Sequence, residues 1–127
     1  MFEVSVEYTF AAGHALRGYK GKCENVHGHN YKVQLVVGGG QLDSAGLLMD
    51  FVEIKKTLKE LVERLDHCFL NDVPPFDKLN PSAENIAKYF CDELEPPVRN
   101  RGLRVQAVTI WETDTTSATY RPTTLSQ

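Results

Sequence analysis

The sequence has no apolar run close to the roughly 20 residues that a membrane-crossing helix requires, so no membrane span is expected. It has no excess of positive charge either. Fourteen Lys+Arg stand against 17 Asp+Glu, a net charge of −3 with His neutral. Mild acidity argues against nucleic acid or an anionic membrane as the main partner. Cysteine is down to three residues, Cys23, Cys68 and Cys91, an odd number that builds no paired framework. No secretory leader fits, because an alternating strand pattern begins at Phe2. A reducing, cytoplasmic setting is the expectation. Low-complexity stretches and repeats are missing as well. Hydrophobic residues at 42% and charged residues at 24% are the proportions of a folded globular chain, which excludes disorder. The 127 residues make one domain, large enough to bury about two thirds of the unfolded chain's surface. Histidine is scarce too, at four residues, yet His14, His27 and His29 fall within one short stretch.

Residues 2–10 alternate, with Phe2, Val4, Val6, Tyr8 and Phe10 on one side and Glu3, Ser5, Glu7 and Thr9 on the other. That is a strand with one apolar face. A polar loop is expected over 12–28, then a second strand over 31–37 that ends at Gly38-Gly39-Gly40. Residues 52–65 read as an amphipathic helix with Ile54, Leu58, Leu61, Val62 and Leu65 on its stripe. Ser82 can cap a second helix whose apolar face is Ile86, Ala87, Phe90, Cys91 and Leu94, and Pro96-Pro97 is expected to stop it. Strands follow over 103–112 and 117–121. The order β-β-α-α-β-β predicts an α+β fold: an antiparallel four-stranded sheet with both helices on one face. Its other face would be polar and its edges open, which gives association between copies a physical motive.

His27-Gly28-His29 places two imidazoles on one side of an extended segment. If the first two strands pair as a hairpin, His14 converges on them. Three neutral imidazoles suit Zn²⁺ and leave one position for water or substrate. Two other readings stay open: an ordinary polar loop, and a structural site closed by Cys23 as fourth ligand. Cys23 lies beside Lys20 and Lys22, and nearby positive charge favours the thiolate, a usable general base. Cys91, on a helix stripe, reads as an inert buried residue. Asp66-His67 is either a proton-handling pair or a helix C-terminus with a well-placed histidine. Glu112 is either a solvated strand end or a carboxylate able to accept two parallel hydrogen bonds from an amidine-like edge, as guanine and pterin rings present. Glu84 suits the first turn of a helix whatever its function.

Six stretches carry a resemblance: F-A-A-G-H-A-L around His14, C-E-N-V-H-G-H-N-Y from Cys23, M-D-F at Met49, L-D-H-C-F-L-N-D from Leu65, S-A-E-N from Ser82 and W-E-T at Trp111. In this order they resemble the 6-pyruvoyl-tetrahydropterin synthase / 6-carboxy-tetrahydropterin synthase family of tunnelling-fold enzymes. The resemblance implies Zn²⁺ on His14, His27 and His29, and Cys23 as catalytic proton acceptor assisted by Asp66 and His67. Glu112 would anchor the pterin, with Glu84 contributing from a neighbouring subunit. It also implies a homohexamer of two stacked trimeric β-barrels with active sites between subunits. The C-x-x-x-H-G-H spacing is similar to bacterial 6-carboxytetrahydropterin synthases that feed queuosine. These convert 7,8-dihydroneopterin triphosphate to 6-carboxytetrahydropterin, acetaldehyde and triphosphate. The alternatives are the pyruvoyl synthase and, because Glu24 follows Cys23, a folate branch releasing 6-hydroxymethyl-dihydropterin. A zinc-stapled interaction module without chemistry is the non-enzymatic rival.

Overall fold

The computed structural model describes residues 1–18 and 25–123. Strand β1 (Phe2–His14) and strand β2 (His27–Gly39) form a long antiparallel pair, from Phe2 opposite Gly39 to His14 opposite His27. Helix α1 (Phe51–Val62), the two-residue strand β3 (Cys68–Phe69) and a 3-10 turn (Leu70–Asp72) follow. Helix α2 (Ala83–Arg99) leads into β4 (Arg104–Thr113) and β5 (Thr116–Tyr120).

The sheet corrects the expected one in two ways. It has five strands in the order β3-β1-β2-β4-β5, and it is mixed, because β3 runs parallel to β1. Two residues carry no readable alternation, so β3 is invisible to a pattern search. It exists because the chain leaving α1 is tied to the edge of β1: the His67 N–H donates to the Ala11 carbonyl at 2.6 Å. The first two strands also run further than their apolar alternation. The expected loop over 12–28 is shortened at both ends, because the pairing continues through Gly13 opposite Gly28. Backbone hydrogen bonds, not apolar side chains, carry those last rungs.

Ser82 caps α2 as expected, and Asp50 caps α1. Asp50 accepts from the Val52 N–H at 2.9 Å, and Ser82 Oγ accepts from the Asn85 N–H at 3.2 Å. Helix α1 ends at Val62, three residues before the expected Leu65, and Leu65 enters the core from a turn. Pro96 and Pro97 do not stop α2, which runs on to Arg99. Proline removes two hydrogen bonds there, but Leu94 and Val98, one turn apart and both buried, keep the last turn pinned to the core. The Asn100 N–H closes that turn on the Pro96 carbonyl at 3.0 Å.

Both helices cover one face of the sheet. Val33, Leu35 and Ile110 meet Ile54, Leu58, Ile86 and Phe90 with no exposed surface, each burial stabilising the fold by about 1.5–3 kcal/mol. Gly39 lets Leu103 and Leu48 pack closely on β2, since a Cβ there would sit 2.5 Å from a Leu103 methyl and force it to move. The opposite face is polar, as the alternation predicts: Lys32 lies 3.9 Å from Glu7 and 5.1 Å above the Trp111 ring. Beside β1, Ala12 and Gly13 are paired by β3 and Ala11 is bound by Asp66 and His67, so residues 2–10 present an open edge among the described residues. No described helix is long and apolar enough to cross a membrane.

Candidate metal centre

The alternation that fills the core continues to the end of the sheet, where the side chains change character. On β1 the helix-facing series runs Val6, Phe10, Ala12, His14. On β2 it runs Leu35, Val33, Tyr31, His29, His27. The histidines thus belong to the strands themselves and do not flank them in a loop. Their candidate ligand nitrogens all lie within 4.8 Å of one another. The three rings form a site able to hold a metal ion.

Hydrogen bonding sets the tautomers. His14 Nδ1 is 2.7 Å from the Pro81 carbonyl, and His27 Nδ1 is 2.7 Å from the Asn25 carbonyl. A carbonyl only accepts, so both Nδ1 atoms carry the proton and both Nε2 atoms are left with lone pairs. Those two Nε2 atoms face each other at 2.9 Å. For neutral rings that is a repulsion unless a cation shares them. His29 Nε2 is buried and makes no hydrogen bond among the described residues, although Glu112 Oε2 lies 3.3 Å away and off hydrogen-bonding geometry. Burial lowers the pKa of His14, 1% exposed, below its ordinary 6.5; the neighbouring His27 and His29 push the same way, against the Pro81 carbonyl and Glu112. His14 and His27, with Nδ1 held by backbone oxygen and Nε2 turned inward, make with His29 a donor set that fits a divalent ion such as Zn²⁺.

Glu112 sits on β4 next to this centre. It shares a cleft of about 350 Å³ with Glu84, Ala83, Thr116, Ser117 and Ala118. Both carboxylates expected to meet a substrate ring therefore border one opening within a single protomer. Tyr31 packs flat on Phe10, ring centroids 5.0 Å apart, and its buried hydroxyl makes no hydrogen bond among the described residues. Burial, reinforced by Glu112, raises its pKa.

Asp66 and His67 do face each other, Oδ1 to Nδ1 at 3.0 Å. Adjacent residues meet this way because His67 takes a positive φ of 61°, rare for a residue with a Cβ. The Ala11 N–H donates to the same Asp66 oxygen at 2.9 Å, so the β1 edge holds the pair in place. His67 is largely exposed and joins His29 and Cys68 around a second cleft of about 430 Å³. Cys91 is buried, its thiol pushed up to about 12 by burial and then by Glu95 and Asp92, which agrees with an inert role. Cys23, Lys20, Lys22 and Glu24 lie outside the described residues.

Sequence reasoning missed the carbonyls of Pro81 and Asn25. Backbone oxygens leave no signature in a residue pattern. It also missed Asn71 and Asn80, which bind the segment after His14, although Asn71 falls inside one of the six stretches.

The model of the 6-pyruvoyl tetrahydropterin synthase family matches residues 3–123. The chain belongs to that family. Among relatives in it, 6-carboxy-5,6,7,8-tetrahydropterin synthase of Aquifex aeolicus is 32% identical over 158 residues, covering 94% of this chain and 98% of that one. The 6-pyruvoyl tetrahydrobiopterin synthase of Dictyostelium discoideum is 36% identical over 103 residues, covering 80% and 74%. The solved 6-pyruvoyl tetrahydropterin synthase of Caenorhabditis elegans superposes with a TM-score of 0.82 at 30% identity, covering 97% and 98%. The mixed five-stranded sheet with two helices is thus the fold of this synthase family, whose members act on pterins.

Proposed function

We propose that this chain is a zinc-dependent 6-carboxy-5,6,7,8-tetrahydropterin synthase. It would convert 7,8-dihydroneopterin triphosphate and one water to 6-carboxytetrahydropterin, acetaldehyde and triphosphate, a step toward queuosine and other deazapurines. The observation that carries it is the inward-facing imidazole trio with Glu112 beside it, in a chain whose relatives include enzymes named for this product. When bound to His14, His27 and His29, Zn²⁺ supplies Lewis acidity and a template for the substrate's side-chain hydroxyls. Glu112 accepts the two N–H groups of the pterin amidine edge. Once His29 Nε2 serves as a ligand it has no proton to share with Glu112, so both carboxylate oxygens are left for the ring. Glu84 borders the same cleft and would assist. Cys23 takes a proton from the substrate side chain. Asp66 holds the Nδ1 proton of His67 and leaves Nε2 to carry protons to and from the reacting chain.

The proposed assembly is a homohexamer of two trimeric barrels in the cytoplasm, with active sites between subunits. The open β1 edge and the largely exposed His67 support it. The decisive experiment is incubation of zinc-loaded protein with 7,8-dihydroneopterin triphosphate, followed by mass analysis of the pterin. The carboxy product is expected. A pyruvoyl product would move the chain to the activity named for its Dictyostelium and human relatives. A hydroxymethyl product would move it to the folate branch with Glu24 as the second base. An unchanged substrate over a zinc closed by Cys23 would leave the interaction module.

A further inference from the structure

The segment that leaves His14 is gripped in an unusual way. The Asn71 side chain accepts from the Ala15 N–H at 2.9 Å and donates to the Ala15 carbonyl at 2.8 Å. Two residues on, the Asn80 side chain does the same for Arg17, at 2.9 and 2.8 Å. Alternate residues with both peptide groups bound are what a neighbouring strand provides. Here two carboxamides stand in for that strand and carry β1's order past its last backbone rung. Arg17 closes the arrangement by donating to the Phe76 carbonyl at 2.8 Å.

Asn80 has a second consequence. The next residue is Pro81, whose carbonyl receives the His14 Nδ1 proton at 2.7 Å. Pro81 is held on its other side by Ser82, the cap of α2, and the Asn85 amide donates to the Asn80 carbonyl at 2.9 Å. His14 and the oxygen that orients it thus sit on two segments joined by the same carboxamide clasp. A ligand imidazole depends on the acceptor at its other nitrogen for both tautomer and ring angle.

We propose that Asn71 and Asn80 are positioning residues of the metal centre, clasping the strand end to the 71–81 loop so that the Pro81 carbonyl aims His14 Nε2 at the ion. The inference rests on the metal-site reading above. A merely structural brace would affect stability alone, so the test reads metal geometry and affinity in the full chain. Wild type, Asn71→Ala, Asn80→Ala and the core variant Val98→Ala are loaded with Co²⁺. Affinity is measured by chelator competition, geometry by the visible ligand-field bands, and Tm without metal. The two asparagine variants should lose about tenfold in affinity, the low end of the scale for a metal ligand's partner because they act through Pro81, and their bands should shift. Val98→Ala should lower Tm and leave both untouched. Unchanged bands and affinity in the asparagine variants, or an equal loss in Val98→Ala, would overturn the proposal. If an alanine variant does not fold, isosteric Asn71→Asp and Asn80→Asp are read the same way, since each turns a donor into an acceptor facing a carbonyl. A wild type that takes up no Co²⁺ would defeat the metal-site reading itself, a result distinct from intact binding that ignores the clasp.

Discussion

The two ends of the helix-facing sheet surface follow the same rule and reach opposite results. At one end Val33, Leu35 and Ile110 are sealed under the helices. At the other, His29, His27 and His14 occupy the next positions of the same alternation, with Glu112 continuing the series from Ile110. Strand period places both sets on the same side. The difference lies in what each set needs. Hydrocarbon is satisfied by any close-packed neighbour. Three imidazoles and a carboxylate require a cation, a proton or a ligand, and the facing Nε2 atoms of His14 and His27 leave that requirement open. A site here is the place where the core's pattern continues and its chemistry changes.

Variants can break this contrast. His27→Ala should cost the most, abolishing stoichiometric zinc and turnover together, while the metal-free Tm barely moves because the ring is only partly buried. Metal analysis beside a melting curve reads both. Cys23→Ala should keep its zinc and lose about 10²–10⁴ in turnover, the usual range for a general base; full activity with intact metal would remove Cys23 from the mechanism. Leu35→Ala, on the sealed stretch, should do the reverse of His27→Ala. It should cost about 2–5 kcal/mol in urea unfolding and leave zinc stoichiometry unchanged.

Cys91 gives the smallest and most directional effect. Its thiol stays protonated in the fold up to about pH 12 and in the unfolded chain only up to about its ordinary 9.0. The unfolded state therefore binds fewer protons between those values. Stability is full below pH 9 and falls as pH rises toward 12, by about 1 kcal/mol for the first unit. Comparing wild type with Cys91→Ala at pH 8 and pH 10 isolates it, since the alanine variant should lack that increment.

Much of the covered end was legible because it obeys local rules. The alternation of β1, the stripe of α1 and the Ser82 cap each depend on residues a few positions apart. Pro96-Pro97 misled because a local stop signal competed with a long-range contact, and the burial of Leu94 and Val98 won. At the histidine end, spacing plus an assumed hairpin brought the trio together, and the register of His14 opposite His27 bears that out. Asp66-His67 could not be decided from spacing, because the contact comes with a positive φ at His67 and hydrogen bonds to the distant Ala11.

The chain by itself determined which residue types were present and which side of each strand they take, since period and propensity act within a few residues. Tertiary structure alone decided that β3 runs parallel to β1, that α2 survives two prolines and that the carbonyls of Pro81 and Asn25 accept from His14 and His27. These depend on groups brought together from distant parts of the chain or on backbone oxygens that every residue carries, and neither leaves a mark in the order of side chains.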